Sequence, residues 1–196
     1  MKSATFRTIK GSKQILLSAP HVYPHKRPRL SMAYKIGEAY TDTIVEQVCK
    51  NIDTFGIVLT DESDYDYNYH EEKNNPYKKE ISKMVEDNDI KYFLDIHGLK
   101  EHKYHDVEIY YPTKFSKSIR LAQAIEEGLG KRVLRGLNVL ILRFPETPQE
   151  ELGEYVASKL RVPSVQIEIA RYIREKKKLR EGFIQNLGEV LEGLVI

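Results

Sequence analysis

Runs of β-branched and apolar residues alternate along this chain with stretches of helical period, and that alternation narrows the fold more than any other feature. The strand-like runs are "ILLSAP" (15–20), "GIVLT" (56–60), "YFLDIHG" (92–98), "DVEIYYP" (106–112), "NVLILRF" (138–144) and "SVQIEIA" (164–170). Between them, Ile36, Tyr40, Ile44, Val48 and Ile52 recur at helical spacing, which predicts a helix over 34–52. Further helices are predicted over 77–86, over "SKSIRLAQAIEEGLG" closing on Gly128 or Gly130, and over "PQEELGEYVASKL". A final helix, after the strand 164–170, is predicted from Leu179, Phe183, Leu187, Val190, Leu191 and Leu194, which fall on one stripe. "SATFRTIKGSKQILLSAP" reads as two short strands joined at Gly11 and Ser12. Strands alternating with helices predict an α/β fold of three layers, αβα, around a mixed, mostly parallel sheet.

With 196 residues and no repeat or linker, the chain is expected to form one domain, 1–196. Its net charge of +2 gives no bulk electrostatic reason to expect a nucleic-acid or membrane partner. The dense run "REKKKLR" (174–180) is expected to be the solvated face of a helix. A single cysteine, Cys49, excludes an internal disulfide and a cysteine-based zinc knuckle, and reads as a small core residue. No apolar run reaches the roughly 18 residues of a membrane span. The start "MKSATFRTIKGSK" lacks the apolar core of a signal peptide, so a cytoplasmic location is expected.

In sheets of this kind ligands bind beyond the carboxyl ends of the strands. Three predicted strands carry reactive groups there: "SAPH" ends on His21, "LDIHG" holds His97, and "VQIEIAR" holds Glu168 among apolar residues. A carboxylate in such a strand is costly unless it is paired, bound to metal or catalytic. Two imidazoles, a carboxylate and one open position make the ligand set of a catalytic zinc site. Glu38 is the candidate third ligand, at the start of the predicted helix, and His25 is its rival. Asp95, two residues before His97, is placed to orient an imidazole or to cap a turn. Arg27 and Arg171 are candidate clamps for a substrate carboxylate, with Arg143 and Arg174 as weaker ones. Asp66 and Asn68, in the long loop 61–76, either contact substrate or close Asx turns. His70, His102 and His105 fall in polar surroundings and are expected to be exposed.

The ordered blocks "SAPH…R…K..GE..T", "D.N…NPYK", "LDIHG", "DVEI" and "VPSVQIEI.R" resemble the N-formylglutamate amidohydrolase-like family, zinc-dependent hydrolases related in fold to the metallocarboxypeptidases. The resemblance spans about 17–174. It implies a zinc exopeptidase type of fold, with Zn²⁺ held by His21, Glu38 and His97 and with Glu168 as general base. The implied substrate is a small N-acyl amino acid of the N-formyl type, or a short peptide. The alternative is a non-catalytic or carboxypeptidase-like descendant that keeps the metal and binds a small anionic ligand.

Overall fold

The computed structural model describes residues 5–26, 34–100, 104–112, 115–145 and 150–194; the candidates Arg27 and His102 lie outside them. Phe6–Ile9 forms β1 and Lys13–Ala19 forms β2, whose residues from Ile15 onward are all buried. β5 (Thr54–Leu59) is buried throughout, and β6 (Tyr92–Gly98) and β9 (Ser164–Ile169) nearly so. β7 (Val107–Tyr111) and β8 (Val139–Arg143) complete a seven-stranded sheet ordered β1-β5-β2-β6-β9-β7-β8. Its centre, β5 to β9, is parallel, as continuous apolar strands require. β1 is antiparallel to β5, β7 is antiparallel to β9, and β8 runs parallel to β7.

Helices α1 (Thr41–Ile52), α3 (Ser116–Leu129) and α6 (Lys177–Glu192) pack together on one face. On the other face lie α2 (Pro76–Asp87) and α4 (Leu152–Lys159), joined by a 2.7 Å hydrogen bond between the Ser82 and Tyr155 hydroxyls. Cys49 is buried in the core, its thiol donating to Phe55 O. The three-layer mixed fold is therefore as expected, and among the described residues no helix is long and apolar enough to cross a membrane.

The two short strands joined at Gly11 and Ser12 form as expected, with β5 lying between them in the sheet. β5 is apolar on both faces and takes the interior position; β1, whose two central residues are exposed, is left at the edge. Two other local expectations fail for identifiable reasons. The first helix begins at Thr41, not near Tyr34. A Cβ at Gly37 would lie 2.3 Å from Val22 O, and Glu38 N donates to His21 O (2.8 Å), so this segment is tied to the loop after β2. Tyr34–Lys35 instead forms β4, paired with β3 (His25–Lys26), and Tyr40 enters α1 at φ 69°. The C-terminal helix is interrupted at Lys176, leaving α5 (Arg171–Glu175) as a separate turn.

The topology brings three strand ends together. β2, β6 and β9 are adjacent and parallel, so the residues at and beyond their carboxyl ends share one edge of the sheet.

Candidate metal centre

His97 and Glu168 are register partners on neighbouring strands, and His21 lies two residues past the end of β2. The His21 and His97 rings meet edge to face with centroids 4.8 Å apart. Glu38 approaches from the loop before α1. Its Oε1 lies 3.5 Å from His21 Nδ1 and its Oε2 lies 3.4 Å from His97 Nδ1. Donors at about 2.1 Å from a tetrahedral ion stand about 3.4 Å apart, so these separations fit one metal. Ligand atoms of all three residues fall within 4.8 Å of one another.

The opposite nitrogens of both rings are already committed. His21 Nε2 donates to Asp66 Oδ1 and His97 Nε2 donates to Asp95 Oδ2, each at 2.8 Å. Both carboxylates are fully buried. Each ring is thereby held with Nδ1 toward Glu38, the arrangement in which a carboxylate orients a metal-binding imidazole. This donor set fits a zinc ion, with Nδ1 of both histidines and the Glu38 carboxylate as ligands.

The charges express the same geometry. Burial alone would lower the His21 pKa, but the Asp66 and Glu38 charges override it and raise it to about 9. Burial also opposes the charged form of His97, yet Asp95 and Glu38 push it well above its ordinary value. Burial would raise Glu38; the two imidazoles instead hold it well below the usual carboxylate range. Two buried cations face this acidic cluster. Lys78, 1% exposed, feels Asp66 and Asp95 and donates to Glu150 O at 3.3 Å. Arg174, 5% exposed, donates to Ile169 O and Ala39 O and feels Glu38 and Glu168. Gly98 permits the close approach, since a Cβ there would sit 2.8 Å from Arg174 Nη2, and its N–H donates to Glu38 Oε2 (3.0 Å).

His25 is buried and stacked on His21, with centroids 3.9 Å apart and planes 8° apart. Its ligand atoms group with those of His21 and Asp66 but not with those of His97. Burial and the adjacent His21 charge lower its pKa to about 4. It supports the back of the His21 ring.

Glu168 lines a cavity of about 600 Å³ that also exposes His21, Glu38 and His97. Its carboxylate accepts from Gln166 Nε2 (3.0 Å). Burial raises its pKa; His97 opposes and Glu38 adds to the rise, and the result is about 7.

The remaining candidates separate. Asp66, expected near substrate or in an Asx turn, does the latter: its Oδ1 accepts from Asn68 N (3.1 Å) while holding His21. Asn68 lines the cavity, but its Oδ1 accepts from Leu152 N at 2.5 Å and docks the loop on α4. Arg171 lines the cavity with its guanidinium half-exposed, its Nε donating to Glu175 (2.5 Å). His70, expected to be exposed, is half-buried, with Nδ1 2.7 Å from Asp66 O; His105 is half-buried as well. Gln166 shares the Glu168 face of β9, as strand alternation predicts, but the sequence alone gives it no role.

Because Asp66 hydrogen-bonds His21 and raises its basicity, Asp66→Asn is expected to weaken the affinity of this candidate site for an added divalent metal by about 10–100-fold, read by competition with a chelating dye. An unchanged affinity would show that the 2.8 Å contact does not tune the ligand.

No family model matches the sequence, and no curated protein matches it. The fold does match solved structures. An N-acetylmuramoyl-L-alanine amidase from Clostridium difficile is 13% identical, with a TM-score of 0.60 over 92% of this chain and 96% of that one. A succinylglutamate desuccinylase from Vibrio parahaemolyticus is 14% identical, with a TM-score of 0.58 over 96% of this chain and 69% of that one. A metallo-carboxypeptidase from Burkholderia cenocepacia is 10% identical, with a TM-score of 0.59 over 95% of this chain and 59% of that one. The chain therefore has the three-layer α/β fold that these amidase, desuccinylase and carboxypeptidase structures share.

Proposed function

We propose that this protein is a zinc-dependent amidohydrolase that cleaves the linear amide of an N-acyl amino acid, of the N-formyl type, or of a short peptide. The observation that supports this most is the pairing of His97 with Glu168 across β6 and β9, beside a Glu38 carboxylate that faces both Nδ1 atoms. His21, Glu38 and His97 would hold the ion, which when bound polarises a scissile carbonyl and lowers the pKa of water. Glu168, at the cavity wall and with its pKa raised toward 7, accepts a proton from the attacking water and returns it to the leaving amine. Gln166 fixes one Glu168 oxygen by hydrogen bond, leaving the other for that transfer. Arg171, and with it Arg27, supplies a guanidinium for the carboxylate of an amino-acid substrate.

Protein purified without added metal is expected to contain about one zinc per chain and to release free amine from a panel of N-acyl amino acids. Metal-free protein with undiminished amine release overturns the proposal. A binding-only descendant instead retains ligand with no turnover across the panel.

A further inference from the structure

We infer that the compartment next to the metal centre, walled by Glu108, Glu151, Tyr69, Tyr110 and Gln166, receives a cationic group of the substrate, an ammonium or a guanidinium. This deepens the amidohydrolase reading and rests on it for the reaction, though not for the binding.

The compartment, about 300 Å³, shares Gln166, Glu168 and Tyr69 with the main cavity. Its floor is the antiparallel ladder of β7 and β9, where Glu108 lies opposite Glu168 and Tyr110 opposite Gln166. The ladder thus extends the His97–Glu168 row one strand outward with a second carboxylate. Tyr110 donates its hydroxyl to Glu108 Oε2 (2.7 Å), and Tyr69 donates to Glu151 Oε1 (3.2 Å). Both carboxylates are more than nine-tenths buried. Glu108, Glu168 and Glu151 all act on the Tyr110 phenol and, after burial, raise its pKa.

A second and independent observation points to a ligand. Gln166 is 5% exposed and gives its amide nitrogen to Glu168, yet its Oε1 is buried with no hydrogen-bond partner. Exchanging the amide atoms would set an oxygen against the Glu168 carboxylate, so with that group ionised the acceptor stays unanswered either way. A buried amide oxygen calls for an N–H donor. An ammonium or guanidinium brings several donors together with the charge that two buried carboxylates favour. An anionic group meets repulsion, and an apolar one leaves Gln166 without a partner while burying charge. Exposed Lys100 stands where the compartment opens to the main cavity, so the preference for a cation belongs to the deeper wall.

The test uses zinc-loaded protein and substrate pairs that differ only in a terminal ammonium or methyl group. One pair, N-formyl-lysine and N-formyl-2-aminoheptanoic acid, places it on the amine side of the amide. The other, 6-aminohexanoyl-glutamate and heptanoyl-glutamate, places it on the acyl side. In at least one pair kcat/KM is expected to be tenfold or more higher for the cation, and Glu108→Gln is expected to reduce that ratio to threefold or less. In parallel, calorimetry on unmodified, metal-free protein is expected to show N-acetyl-lysine amide binding at least tenfold more tightly than N-acetyl-norleucine amide, with the difference shrinking as salt rises. Ratios near one in both pairs, or a preference that survives Glu108→Gln, overturn the inference. If no substrate is hydrolysed, the amidohydrolase reading fails; the binding preference then upholds this inference by its presence and overturns it by its absence.

Discussion

Replacing Glu168 by glutamine is expected to lower amide hydrolysis by about 10²–10⁴-fold while one zinc per chain remains bound. The two properties separate because Glu168 is not part of the set formed by His21, Glu38 and His97. Glutamine keeps the side-chain oxygen that accepts from Gln166 Nε2, so the local packing survives, but it cannot take a proton. The carboxylate also has a cost for the fold that its removal exposes. Burial holds the Glu168 pKa at about 7, above the unfolded value of 4.5, so folding favours its neutral form. The stability linked to that proton is lost as pH rises from 4.5 through about 7. The metal-free glutamine variant should therefore melt at a higher temperature than the unmodified chain at pH 8, and at a similar temperature at pH 4. A variant with near-normal kcat would remove Glu168 from the chemistry whatever its melting behaviour.

How much of this was legible in the sequence follows from the range of each interaction. Period and β-branching revealed β6 to the residue, because an interior parallel strand must be apolar on both faces. The same signal marked Glu168, since a carboxylate between Ile167 and Ile169 violates that rule. The chemistry of Glu38 makes it a candidate ligand from sequence, but its setting does not follow from the periodicity around it. Helical periodicity ran through Ile36 and Tyr40, whereas contact of Gly37 with Val22 and the hydrogen bond from Glu38 to His21 unwind that turn. Ile36 ends 90% exposed at the cavity rim, outside any apolar stripe. Asp66 shows the limit most clearly. Its loop and charge read as a substrate contact or a local turn, and nothing in the chain's spacing connects it to an imidazole 45 residues away. Glu108 stood within a block that resembles a family, but only the strand order places it opposite Glu168.

Zinc uptake by the metal-free protein is expected to release about two protons per ion at pH 7, and apparent affinity should rise about a hundredfold per pH unit around neutrality, the His21 share of that rise ending near pH 9. The cause is that both candidate ligand imidazoles are held protonated by the carboxylates that orient them. His21 has its pKa at about 9 through Asp66 and Glu38 against burial, and His97 lies well above its ordinary value through Asp95 and Glu38. A metal must displace both protons before Nδ1 can bind, and each displaced proton contributes about a factor of ten per pH unit. Calorimetry in buffers of different ionisation enthalpy counts the protons directly; uptake with none released would mean that the imidazoles are neutral and that the ion pairs with Glu38 do not form. The same groups give the metal-free fold an opposite pH dependence. A folded pKa above the unfolded 6.5 adds stability that is fully present below pH 6.5 and is lost as pH rises through about 9. Alkali should thus loosen the empty site while it tightens metal binding, so the stability gained on adding zinc grows with pH across that window.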